Sequence, residues 1–118
     1  MSLMKNQSPT SDERHDEYIV LTFRAYDDEG IFVAECLELG TASQGDTPGE
    51  AIAMAHEATV MYLSAAADLG ELPRIFRERN VRVLSAVPHE IELRASVHAD
   101  DIVKLVVHHL GRSAAVPA

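Results

Sequence analysis

Gln44-Gly45-Asp46-Thr47-Pro48-Gly49-Glu50-Ala51 marks the point where a run of strands gives way to the main helix. Thr47 suits the N-cap, because its hydroxyl can accept a hydrogen bond from an orphaned N–H of the first turn. Glu50 stands three residues on and can reach back to the Thr47 N–H, which completes a capping box. Pro48 falls at the first helical position, where a missing N–H costs nothing. Gly45 relaxes the turn. These residues are architectural and name no chemistry, so function must come from what surrounds them.

Upstream, Tyr18–Tyr26 alternates Ile19, Leu21, Phe23 and Ala25 with Tyr18, Val20, Thr22 and Arg24, the period of a strand. Asp27-Asp28-Glu29-Gly30 reads as a hairpin turn. Residues 31–37 form a second strand with Phe32, Ala34 and Cys36 on one face. Glu38-Leu39-Gly40 is a second turn, and Thr41–Gln44 a short third strand. Residues 1–17 are polar and aperiodic and read as a disordered tail.

Downstream, the helix is expected from Pro48 to about Leu69, stopping at Gly70 with Pro73 beyond. Ile52, Ala55, Thr59, Tyr62, Leu63 and Ala66 make one apolar stripe. Ala51, Met54, Ala58, Met61, Ala65 and Leu69 make a second. This sector is wider than one sheet face covers, so Met54, Ala58, Met61 and Ala65 are candidates for an oligomer interface. Residues 71–80 read as a linker. A fourth strand is expected over 80–87, with Val81, Val83 and Val87 on one face, and a fifth over 89–97. Residues 100–110 are expected to form a short helix with Ile102, Val103, Val106, Val107 and Leu110 inward. Asp100 and Asp101 would lie at its positive end and Gly111 just past its last turn.

The fold class is therefore α+β: a β-β-β-α-β antiparallel sheet with one long helix packed on it, plus a C-terminal strand and short helix. The chain divides into the tail (1–17), a domain over 18–87 and an extension over 88–118.

With 118 residues the chain is one domain by size. Its formal net charge is −9. Residues 18–80 hold four arginines against eleven carboxylates, a net −7, whereas residues 81–118 balance four of each sign. That argues against non-specific nucleic-acid binding, which needs cations to displace counterions, and favours a basic partner. Tyr18, Tyr26 and Phe32 could make a stacking platform for single strands, but acids flank them. The single cysteine, Cys36, excludes an intrachain disulfide and reads as a buried small hydrophobe. No apolar run approaches a membrane span and no signal peptide is visible, so a cytoplasmic protein is expected.

The six histidines form neither an HExxH pattern nor a two-His-one-carboxylate spacing. No phosphate-binding glycine pattern is present, and Ser43 and Thr47 lack an evident base. No metal, cofactor or catalytic residue is expected. The carboxylates Asp27, Asp28, Glu29, Glu35 and Glu38 are the candidates for binding a partner.

The strand Tyr18-Ile19-Val20-Leu21-Thr22-Phe23 comes first. The hairpin Asp28-Glu29-Gly30 through Leu37-Glu38-Leu39 and the joint Thr41 through Ala51 follow. In that order they resemble the HicB antitoxin family of bacterial type II toxin–antitoxin systems. The resemblance spans roughly residues 18–87. It implies a partial ribonuclease-H-like fold, a non-catalytic protein, and assembly into dimers or larger homo-oligomers. It also implies protein–protein contact with a small, basic, mRNA-cleaving toxin that the antitoxin neutralises. Such antitoxins usually add a helix-turn-helix or ribbon-helix-helix DNA-binding domain, whereas residues 88–110 here offer one strand and one short helix. Three rival readings stay open: a DNA-binding autorepressor using residues 88–110, an oligomeric structural module with no toxin partner, and an enzyme on a ribonuclease-H-like scaffold.

Overall fold

A computed structural model describes residues 16–91 and 100–112. The chain is α+β, with a four-stranded antiparallel sheet and two helices. In chain order the elements are β1 (Asp16–Asp28), β2 (Ile31–Cys36), β3 (Ala42–Gly45), α1 (Pro48–Asp68), α2 (Leu72–Glu78) and β4 (Ile102–Arg112). The sheet order is β3-β2-β1-β4.

Strand alternation builds the core as expected. Ile19, Leu21, Phe23 and Ala25 on β1 meet Ala34 and Cys36 on β2, and all six are essentially inaccessible. The register pairs Phe23 with Cys36 and Ala25 with Ala34, so these side chains share one face. Helix α1 closes that face with Ala51, Ile52, Ala55, Thr59, Leu63 and Ala66. Tyr62 leaves the expected inward stripe and is 37% exposed, while Ala51, expected on the second stripe, is fully buried.

The joint before α1 forms as a cap. Thr47 Oγ1 accepts from Glu50 N at 3.0 Å. The Glu50 carboxylate reaches one residue further than a capping box requires and accepts from Asp46 N at 2.6 Å. Gly45 is required by space: a Cβ there would stand 2.8 Å from Ala51 N and 2.9 Å from Glu50 Cγ.

Four expectations are corrected. Residues 72–78 are helix α2, not linker, and Pro73 lies in its first turn rather than past a helix end. Leu72, Ile75 and Phe76 bury against the core, which holds this short helix in place. Residues 80–87 make a single bridge, Leu84 to Tyr18, instead of a strand. The edge of β1 they would extend along is taken at Thr22, whose carbonyl accepts from Leu37 N and whose N–H donates to the Glu38 carboxylate.

The expected helix over 100–110 is strand β4. Its four β-branched residues, Ile102, Val103, Val106 and Val107, suit a pleated strand as well as a helix face. The edge of β1 opposite β2 supplies a partner from Ala25 back to Asp16. The tail expected to run to residue 17 ends earlier, since Asp16 and Glu17 already pair with Arg112 and Gly111. Most of the expected fifth strand, 92–97, lies outside the described residues, and the described part, 89–91, is irregular.

Candidate functional site

Beyond its buried face, the sheet presents a second one. Val20, Thr22, Arg24 and Tyr26 on β1 point to it, with Val33 and Glu35 on β2 and Val103, Leu105 and Val107 on β4. Residues 79–91 pass beside its lower half and leave an open groove of about 610 Å³. Its apolar lining includes Val20, Leu37, Leu84 and Ile91, and its polar lining includes Thr22, Glu38, Arg79, Arg82 and Glu90.

The five carboxylates expected to bind a partner do not form one surface. Asp27, Asp28 and Glu29 are exposed at the β1–β2 tip, where Asp27 Oδ1 also accepts from Gly30 N at 2.9 Å and so shapes the turn. Glu35 sits mid-strand and is paired with Arg24, its cross-strand neighbour. Arg24 also lies over the Tyr26 ring, 5.2 Å from its centroid. Glu38 is committed to Thr22, accepting from its N–H at 2.6 Å and from its hydroxyl at 2.7 Å, and its own carbonyl takes Arg79 Nε at 2.7 Å. Only the three tip residues are free to meet another molecule with a full charge.

The candidate oligomer interface fares differently. Met54 is 45% exposed and Met61 66%, Ala65 is exposed and Ala58 half-buried. Leu69, 73% exposed, continues the row at the same three- and four-residue spacing. These residues therefore do share one open apolar stripe on α1. Exposed Glu57 and Asp68 flank it. From Ala25 to Pro73 the chain has ten carboxylates and neither lysine nor arginine.

The aromatic platform is absent: Tyr18 and Tyr26 lie on the open sheet face and Phe32 on the helix-facing one. Cys36 is buried, and burial pushes its thiol up from the ordinary value. Among the described residues no three His, Cys, Asp or Glu side chains gather in a way that could hold a metal ion.

The sequence reading missed the histidine pair between α1 and β4. His56 stacks edge-on against Phe23 at 5.4 Å between ring centroids. His108, opposite Ile19 on β4, lies on the same side of the sheet. Burial, then the nearby His56 and His109, hold His108 below the usual histidine value. No local pattern announces this pair, because the two residues are brought together only by β4 pairing with β1. The other histidine of that doublet, His109, points to the opposite face, 3.2 Å from Asp16 Oδ1 and against Tyr18.

With residues 102–112 in the sheet, the short helix expected within 88–110 is not present among the described residues. No described helix is long and apolar enough to cross a membrane. No protein-family model, no curated protein sequence and no solved structure matches the chain.

Proposed function

We propose that this protein acts by protein–protein contact as a HicB-like antitoxin, or an orphan relative of one, and neutralises a small basic mRNA-cleaving toxin. The observation that supports this reading is the pairing of an exposed apolar stripe on α1 with a stretch of chain, Ala25 to Pro73, that holds ten carboxylates and no lysine or arginine. A basic ribonuclease would find there an apolar centre at Met54, Met61 and Leu69 with an acidic rim at Glu57 and Asp68. Charge of opposite sign steers such an encounter and rejects acidic competitors. The free tip carboxylates Asp28 and Glu29 add to the same field.

RNA cleavage by a small basic toxin encoded beside this chain tests the reading. Cleavage should stop when the protein is added in excess, and added salt should weaken the inhibition. Undiminished cleavage at saturating protein would sink the proposal.

A further inference from the structure

The chain has four methionines, and the two among the described residues, Met54 and Met61, both stand on the outer stripe of α1. The buried core is built from Ile, Leu, Phe, Ala and Cys and contains no methionine. That reverses the common placing of methionine, whose flexible thioether fills gaps inside. Met54 and Met61 are seven residues apart, so they project from nearly the same side of the helix, with roughly 10 Å of rise between them. Met61 is 66% and Met54 45% exposed. Beside them the stripe offers only half-buried Ala58 and exposed Ala65 before it reaches Leu69. Two of its three large apolar side chains are therefore thioethers open to solvent.

A peroxide oxidises a thioether that solvent can reach. A sulfur lone pair attacks one oxygen of hydrogen peroxide, the O–O bond breaks and an S–O bond forms. The departing hydroxide takes the remaining proton and leaves as water, so sulfur loses two electrons and the peroxide gains two. The product, methionine sulfoxide, is polar, and reductases return it to the thioether. No charge changes, so the acidic surroundings of the stripe stay as they are. What is lost is apolar area at its centre. Elsewhere among the described residues the one other sulfur is Cys36, which is buried. Burial also pushes its thiol up, away from the thiolate form that reacts.

We propose that Met54 and Met61 are a reversible oxidation site, at which peroxide turns the α1 stripe from an apolar into a polar surface and releases a protein partner held there. The identity of that partner rests on the toxin reading. The absence of both sulfurs from the core makes the step selective, because oxygen can be added to them without opening the fold.

The test treats the full chain with millimolar hydrogen peroxide, maps it by peptide mass and titrates it into the RNA-cleavage assay. Met61 should gain one oxygen first and Met54 next, in the order of their exposure, with the thermal midpoint unmoved. About tenfold more of the oxidised protein should be needed to stop cleavage, and methionine sulfoxide reductase should restore the original titration. Sulfoxide at both positions with inhibition unchanged overturns the proposal, as does resistance of both sulfurs to peroxide in the native protein. A thermal midpoint that falls together with inhibition overturns it too, since the fold would then be what is lost. In a Met54→Leu, Met61→Leu double variant, whatever inhibition is measured should be the same before and after peroxide. A loss there puts the sensitive group elsewhere and refutes the assignment. Unoxidised protein that leaves cleavage undiminished sinks the toxin reading and this proposal with it, whereas the preceding results sink the proposal alone.

Discussion

Glu38 binds Thr22 twice, at 2.6 Å to the backbone N–H and 2.7 Å to the hydroxyl, across sixteen residues of chain. The carboxylate replaces a strand that would otherwise pair with β1 at this point. The backbone carbonyl of the same residue takes Arg79 Nε and so helps hold residues 79–91 beside the open sheet face.

Glu38→Ala should therefore cost about 2 kcal/mol, since it removes a charge-assisted acceptor and leaves a half-buried N–H unpaired. Glu38→Gln, which keeps an acceptor oxygen, should cost less. Urea unfolding of the two variants beside the parent checks the order, and equal losses would show that charge plays no part.

The buried Thr59 donates to the Ala55 carbonyl at 2.7 Å and lies 2.6 Å from the Thr41 hydroxyl. Thr59→Val should destabilise by roughly 1–2 kcal/mol through the unpaired Thr41 hydroxyl. Pairing it with Thr41→Val should recover part of that loss. A double-mutant cycle with no coupling between the two positions would contradict the observed contact.

Two glycines of the joint should respond with opposite sign. Gly45→Ala drives a Cβ to 2.8 Å from the Ala51 nitrogen and should lower stability by about 1–3 kcal/mol. Gly49→Ala meets nothing within 4 Å in the first turn of α1 and should raise it by about 0.5–1 kcal/mol. Thermal midpoints of the two variants read this directly.

His108 ties stability to pH. Its folded value lies below the ordinary 6.5, so the unfolded chain binds more protons in the window between them. Stability should be full above the ordinary value, decline as pH falls through it, and level off once folded His108 is itself protonated. His108→Gln should flatten that decline. Denaturant midpoints measured from pH 8 to pH 5 show it, and an unchanged slope in the variant would remove His108 as the cause.

Local signals in the chain were sufficient for the elements that pack through their own periodicity. Ile19 to Ala25 and Phe32 to Cys36 alternate and bury on one side. Thr47, Pro48 and Glu50 start α1 where capping chemistry requires. The exposed row Met54, Met61 and Ala65 was visible because the apolar sector of α1 is too wide for one sheet. The short helix α2 was not, because Pro73 reads equally as a stop signal and as a first-turn residue, and only burial of Leu72, Ile75 and Phe76 decides between them.

What the sequence alone determined is the α+β class, the hairpin, the capped helix and the apolar faces, because each depends on residues within a turn or two of one another. Tertiary structure decided the rest. Residues 102–112 fit a helix stripe and a strand equally well, and pairing along the edge of β1 opposite β2, from Asp16 to Ala25, made them a strand. The same pairing brought His108 to the side of the sheet where His56 lies. It also showed that Glu35 and Glu38, acidic in sequence, are held by Arg24 and Thr22. Hydrogen bonds between segments far apart in the chain made these choices, and no local periodicity encodes them.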